Sequence, residues 1–150
     1  MAIEQVTVFI ENQPGKLAEL LLFLAQQGID LRAYSVAETQ DFGVMRMIVR
    51  DTGKALEALK GSGYIARKND VLGVIIPDEV GSAVKSVQLL NDAGINIEYT
   101  YAFALPRVHR NGSMDPSGAA FVLLRVDDNA RAEAILENAG VKLAQSQELF

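Results

Sequence analysis

The chain has 150 residues, 49% of them hydrophobic and 22% charged, the composition of an ordinary globular protein and not of a disordered, fibrous or membrane-spanning one. Its net charge of −5 offers no general attraction to phosphate backbones or anionic lipid, so neither nucleic acid nor a membrane is an expected partner. With no cysteine and one histidine, a disulfide framework, a thiolate nucleophile and a multi-histidine metal centre are all excluded within one chain. The apolar run Leu20 to Ala25 falls far short of the ~20 residues that a membrane helix needs. Met1 to Gln5 show neither a basic region nor an apolar export segment, and a cytoplasmic location is the expectation.

The β-branched run Val6-Thr7-Val8-Phe9-Ile10 predicts a first strand, and Glu11 to Gly15 a turn into a helix. Leu17, Leu20, Leu21 and Leu24 recur at helical spacing until Gly28, a common C-terminal stop. Leu22 and Phe23 add apolar surface beyond that face, which predicts a helix covered on both sides. Ile29, Leu31 and Ala33 alternate with Asp30, Arg32 and Tyr34 as a second strand. A tight turn from Thr39 to Gly43, a third strand from Val44 to Arg50, a helix capped by Asp51 and a last strand from Tyr64 complete the unit.

An offset of 66 residues then pairs Gly15 with Gly81 and Gly28 with Gly94, and the same order returns. Val74 to Pro77 reads as a strand, Asp78 to Gly81 as a turn, and Val84, Val87 and Leu90 as the apolar face of a helix. The strand that follows places Ile95, Ile97, Tyr99, Tyr101, Phe103 and Leu105 on one side. A third strand from Ala120 to Val126, a helix capped by Asp127 and a last strand from Val141 close the second unit. The halves differ at Pro106 to Gly118, read as a longer loop where a lid would sit. Tyr64 to Pro77 runs from one unit into the next with no linker. The expected fold is α+β, two ferredoxin-like βαββαβ units over residues 1–70 and 71–150, each an antiparallel sheet with helices on one face.

No nucleophile elbow or phosphate-binding loop is present. Gly61 to Ala66 fits a loose dinucleotide pattern, but it leaves a helix for a strand, the reverse of what that pattern requires. Neither a cofactor nor a catalytic residue is expected.

The turn Asn12-Gln13-Pro14-Gly15-Lys16-Leu17 has two readings. It is an ordinary helix start, with Asn12 near the cap and Pro14 set for the first turn. It is also a small anion site, where unpaired helix amides and a glycine admit a ligand carboxylate while a nearby acid or amide receives an ammonium group. The second unit repeats it around Asp78, Val80, Gly81, Ser82 and Ala83. Asp30-Leu31 and Asn96-Ile97 open the strands that follow, either as polar strand ends or as contacts reaching the turn of a sheet neighbour.

The succession strand, Asn/Asp-x-Pro-Gly-x-Leu, helix, Gly-Ile-Asp/Asn-Leu/Ile, strand, hairpin, helix and strand resembles the ACT domain, the small-molecule regulatory module of amino-acid metabolic enzymes, and it does so twice. The first unit carries Asn12, Pro14, Gly15 and Leu17; the second keeps Asp78 and Gly81 but has Val80 for the proline and Ala83 for the leucine. The resemblance implies ferredoxin-like units packed side by side, a homodimer, and a free amino acid bound where a strand-to-helix turn meets a neighbouring unit. The function so implied is a non-catalytic regulator of a separate enzyme, transporter or transcription factor. A dimerisation module with vestigial ligand sites is the alternative, and a small carboxylate enzyme is a third.

Overall fold

The computed structural model describes residues 2–77, 79–108 and 114–150, with side chains outside 105–118. The elements in chain order are β1 (Ile3–Glu11), α1 (Lys16–Gln26), β2 (Leu31–Glu38), β3 (Phe42–Val49), α2 (Thr52–Gly61), β4 (Ile65–Pro77), α3 (Ser82–Asp92), β5 (Ile97–Val108), β6 (Met114–Val126), α4 (Asn129–Asn138) and β7 (Lys142–Leu143), followed by a 3-10 turn (Ser146–Leu149). They form two compact units: Glu4–Asn69 with Phe150, called here the first unit, and Met1–Ile3 with Asp70–Leu149, the second.

In the first unit the strand order is β2-β3-β1-β4, and in the second β5-β6-β4 with β7 on the free side of β4. Both read second, third, first, last, the ferredoxin-like order. The long strand β4 does double duty, closing the first unit up to Asn69 and opening the second from Asp70.

Period-two alternation turns Val6, Val8 and Ile10 of β1 and Met45, Met47 and Val49 of β3 toward α1 and α2, where they share a core with Leu20, Leu24, Ala55 and Leu59. On the opposite face of β1, Gln5 Nε2 donates to Thr7 Oγ1 (3.2 Å), whose hydroxyl donates to Asn69 Oδ1 (3.0 Å), so these buried polar groups are satisfied. The second unit builds its core from Leu72, Val74, Leu90, Ile95, Val122, Leu124, Val126, Ala132 and Leu136. Helices α1 and α3 end alike: Gly28 N–H donates to Ala25 O and Ile29 N–H to Leu24 O, as Gly94 does to Asn91 O and Ile95 to Leu90 O. The left-handed glycine (φ 63° and 70°) makes that wrap possible.

Several local expectations are corrected. Pro106 to Gly118 is not a long loop: β5 runs to Val108 and β6 starts at Met114, with Arg107 opposite Asp115. The register shift between Leu105 and Arg107 falls at Pro106, which has no N–H to give the ladder. Residues 109–113 lie outside the described residues. Helix α4 is capped by Asp128, whose carboxylate accepts from Arg131 N–H (3.0 Å), while Asp127 accepts from Asn96 N–H (3.2 Å). Asp51 caps α2 as expected, accepting from Lys54 N–H (2.9 Å). In α3 the buried positions are Ser86 and Leu90, and Val84 and Val87 face outward. Their phase is fixed by the turn at Gly81, which sets Ser86 and Leu90 where Leu20 and Leu24 stand in α1. Within one chain the outer face of α1 stays open at Leu22, which is 60% exposed. Phe23 is used inside the unit, its ring 5.5 Å from that of Tyr64. Ile29 and Ile95 precede their strands, and the last strand of the second unit shrinks to Lys142–Leu143.

Candidate functional site

The β1–α1 and β4–α3 connections are each a tight turn followed by a helix with no side-chain cap. Lys16 N–H donates to Gln13 O (3.3 Å), with Pro14 and Gly15 between them; Gly15 has φ 88° and ψ −17°. Proline second and a left-handed glycine third make a type II turn. Ser82 N–H donates to Glu79 O (3.2 Å) across Val80 and Gly81, with Gly81 at φ 85° and ψ −2°. The change from Pro14 to Val80 therefore leaves the turn intact, because glycine supplies the positive φ and the second position needs no proline. Neither helix has a side-chain cap, and no atom lies within 4 Å of where a Cβ would stand on Gly15 or Gly81. Both glycines thus present open space beside the first turn of a helix whose amide end carries positive potential.

Asn12 is not the cap. Its Nδ2 donates to Thr39 O (3.1 Å) and its backbone N–H to Asp41 O (3.0 Å), which ties the first turn to the β2–β3 connection. Pro14 precedes the helix, Lys16 opens it with an ion pair to Glu19 (3.4 Å), and Leu17 packs on the first core. In the second unit Val80 and Ala83 are exposed and Ser82 half-buried, while Asp78 lies outside the described residues.

The strand-opening residues stand elsewhere. Glu11, beside the turn, is opposite Phe42, whereas Leu31 is opposite Val49 at the far end of β3. Seven residues at ~3.3 Å each separate them, roughly 23 Å. The second unit repeats the separation, Pro77 pairing with Ala119 and Ile97 with Val126. A helix that returns the chain to the start of a parallel strand, one place further across the sheet, puts turn and strand opening at opposite ends. No single unit brings Asp30 or Asn96 to its own turn. Asp30 Oδ2 accepts from Arg50 Nε (2.9 Å) with both side chains more than half exposed, a surface pair of small energetic weight.

Beside the first turn lies a cleft of about 240 Å³ lined by Phe9, Ile10, Glu11, Lys16, Glu19, Phe42, Gly63, Tyr64 and Ile65. Of the residues expected from sequence, Lys16 alone lines it. The α2–β4 turn at Gly63 (φ 84°) aims Tyr64 across α1. Burial, and then the Glu19 carboxylate, push the Tyr64 phenol above its ordinary range, so it keeps its proton at neutral pH. No sequence motif marks Tyr64, Phe42 or Ile65; the nearest signal is the Gly-Ser-Gly before Tyr64, which reads as a turn and nothing more. Among the described residues no group of acids and histidine is placed to hold a metal ion, and no helix is long and apolar enough to cross a membrane.

Two ferredoxin-like units, each with a glycine-centred turn leading into an uncapped helix, define a tandem α+β domain protein. Residues 1–149 match the family described as an ACT domain pair, and the chain belongs to that family. A solved protein of Bacteroides thetaiotaomicron is 32% identical with a TM-score of 0.85, the match covering 99% of this chain and 96% of that one. The ligand-free regulatory subunit of aspartate kinase from Thermus thermophilus is 22% identical with a TM-score of 0.61, covering 91% of this chain and 90% of that one. The corresponding subunit from Thermus flavus is 20% identical with a TM-score of 0.57, covering 89% and 88%; both show the fold. No curated protein matches the chain significantly.

Proposed function

We propose that the chain is a non-catalytic regulatory protein that binds a free amino acid and acts on a separate enzyme or transporter. The observation that carries the reading is the turn built twice: a left-handed glycine, open space beside it and a helix start with no side-chain cap. The ligand carboxylate accepts from the amides of Gly15 and Leu17 or of Gly81 and Ala83, since the Lys16 and Ser82 amides between them close the turns on Gln13 O and Glu79 O. Asp30 and Asn96 stand far from the turn of their own unit and do not contribute to its polar shell. Family membership supports the same reading.

A ligand bound to the folded state at a hundredfold excess over its dissociation constant stabilises it by about 2.7 kcal/mol. For a chain of this size that raises the melting temperature by about 5 to 11 °C. At least one of the twenty amino acids at millimolar concentration is expected to give such a shift in a thermal melt. A flat panel would leave a dimerisation module in place of the sensor.

The assembly belongs to the same proposal. Leu22 on α1 and Val84 and Val87 on α3 leave apolar side chains in water, and β2 ends the strand order of the first unit, so a homodimer is expected. Light scattering at micromolar concentration should report at least twice the 16.3 kDa of one chain; a mass of one chain would contradict it.

A further inference from the structure

We infer that the first unit selects an amino acid with a large apolar side chain, aliphatic or aromatic, and that the cleft beside its turn is what selects it. The inference rests on the amino-acid reading above and narrows it to a class of ligand.

Two lips of the cleft are apolar side chains largely in water: Phe42 is 56% exposed and Ile65 72%. Isolated exposed apolar residues are ordinary, but these two line one concavity together with Phe9, Ile10 and Tyr64. The registers explain how they meet. Pairing of Glu11 with Phe42 brings the start of β3 beside the end of β1, and the turn at Gly63 delivers Tyr64 and Ile65 from α2. At about 240 Å³ the cleft lies below the ~300 Å³ at which drug-sized sites begin, a size suited to one small metabolite.

The charged lining has both signs. Lys16 Nζ and Glu19 Oε2 are 3.4 Å apart, with side chains 39% and 62% exposed. Such a pair holds its partners weakly in water, so each exchanges the other for a ligand group at little cost. Lys16 then meets a carboxylate, and Glu19 or Glu11 an ammonium. The Tyr64 hydroxyl, still protonated, remains a neutral donor and acceptor among them. A zwitterion with an apolar body satisfies every part of this lining. A fatty acid leaves the two glutamates without a partner, and a simple amine leaves Lys16 without one.

The test is calorimetric titration of the full chain with glycine, serine, leucine and phenylalanine, repeated on Phe42→Ser and Ile65→Ser. Both substituted side chains are exposed, so the fold is expected to tolerate either change. Leucine or phenylalanine should bind at least about tenfold more tightly than glycine and serine, as burial of two or more methylene equivalents implies. Each variant should reduce that preference to about threefold or less. Glycine or serine binding as tightly as leucine and phenylalanine, or both variants keeping the preference, would overturn the inference while leaving the amino-acid reading standing. Binding of none of the four, with no shift across the full amino-acid panel, would end both.

Discussion

Leu20→Ala should lower the unfolding free energy by about 2 to 5 kcal/mol, the range for emptying a well-packed leucine site. Leu20 has no exposed surface and sits between Val6, Val8, Met45 and Met47 of the sheet and Leu24 one turn on. Loss of its side chain removes the transfer energy of three carbons and leaves a void that surrounding β-strands, fixed by their ladders, cannot fill. The urea midpoint should fall with the slope unchanged. A loss under about 1 kcal/mol would mean that α1 does not pack on the sheet as described. Because α1 also carries the turn at Gly15, the same variant should weaken any ligand-induced rise in melting temperature.

Glycine 73 gives the second large effect, and its sign is unusual. Replacing a strand glycine with alanine normally stabilises, since the unfolded chain loses freedom. At Gly73 a Cβ would overlap Ile3 Cδ1 and lie 2.9 Å from Ala144 Cβ. Ile3 and Ala144 are each 1% exposed, and Ala144 N–H donates to Gly73 O (2.8 Å), so neither neighbour withdraws freely. Gly73→Ala should therefore destabilise by about 1 to 3 kcal/mol, the usual cost of overpacking. Gly61→Ala is the control. It closes α2 without a positive φ, nothing lies within 4 Å of its Cβ position, and it should gain about 0.5 kcal/mol. Equal signs for the two variants would refute the close approach at Gly73.

How much of this was legible beforehand follows from which forces are local. The strand and helix order came through because β-branched runs, leucines at helical spacing and glycine stops are encoded within a few residues of where they act. The 66-residue offset added the pairing of Gly15 with Gly81, and the two glycines share a left-handed φ in the structure. The phase of α3 did not come through. Leu90 is buried as its spacing implies, but Val84 and Val87, read with it as one core face, stand outward, and Ser86 takes the inward position instead. Choosing between two adjacent stripes is a tertiary decision that spacing alone leaves open. Asp127 and Asp128 are equally good caps by composition, and the hydrogen bond from Asn96 to Asp127 decides between them.

The candidate site was legible in one part only. The turns were visible as Pro-Gly and Val-Gly before a helix, since type II geometry is a matter of four consecutive residues. The cleft was not, because Phe9, Phe42 and Tyr64 meet through strand register and a helix-to-strand turn, across long stretches of sequence. Gly73 was equally silent. A glycine inside an apolar strand signals a close approach, but which atoms approach is set by Ile3 and by Ala144, which lies next to the short strand β7.

The central claim is that a ligand carboxylate sits on the backbone amides of a strand-to-helix turn. Its most direct test is an amide chemical-shift map of the isotopically labelled chain, titrated with the amino acid that raises the melting temperature most. The amides of Gly15 and Leu17, or of Gly81 and Ala83, should move furthest and saturate with the dissociation constant measured calorimetrically. Amides that stay in place at both turns under saturating ligand, with shifts gathered elsewhere in the chain, would contradict it.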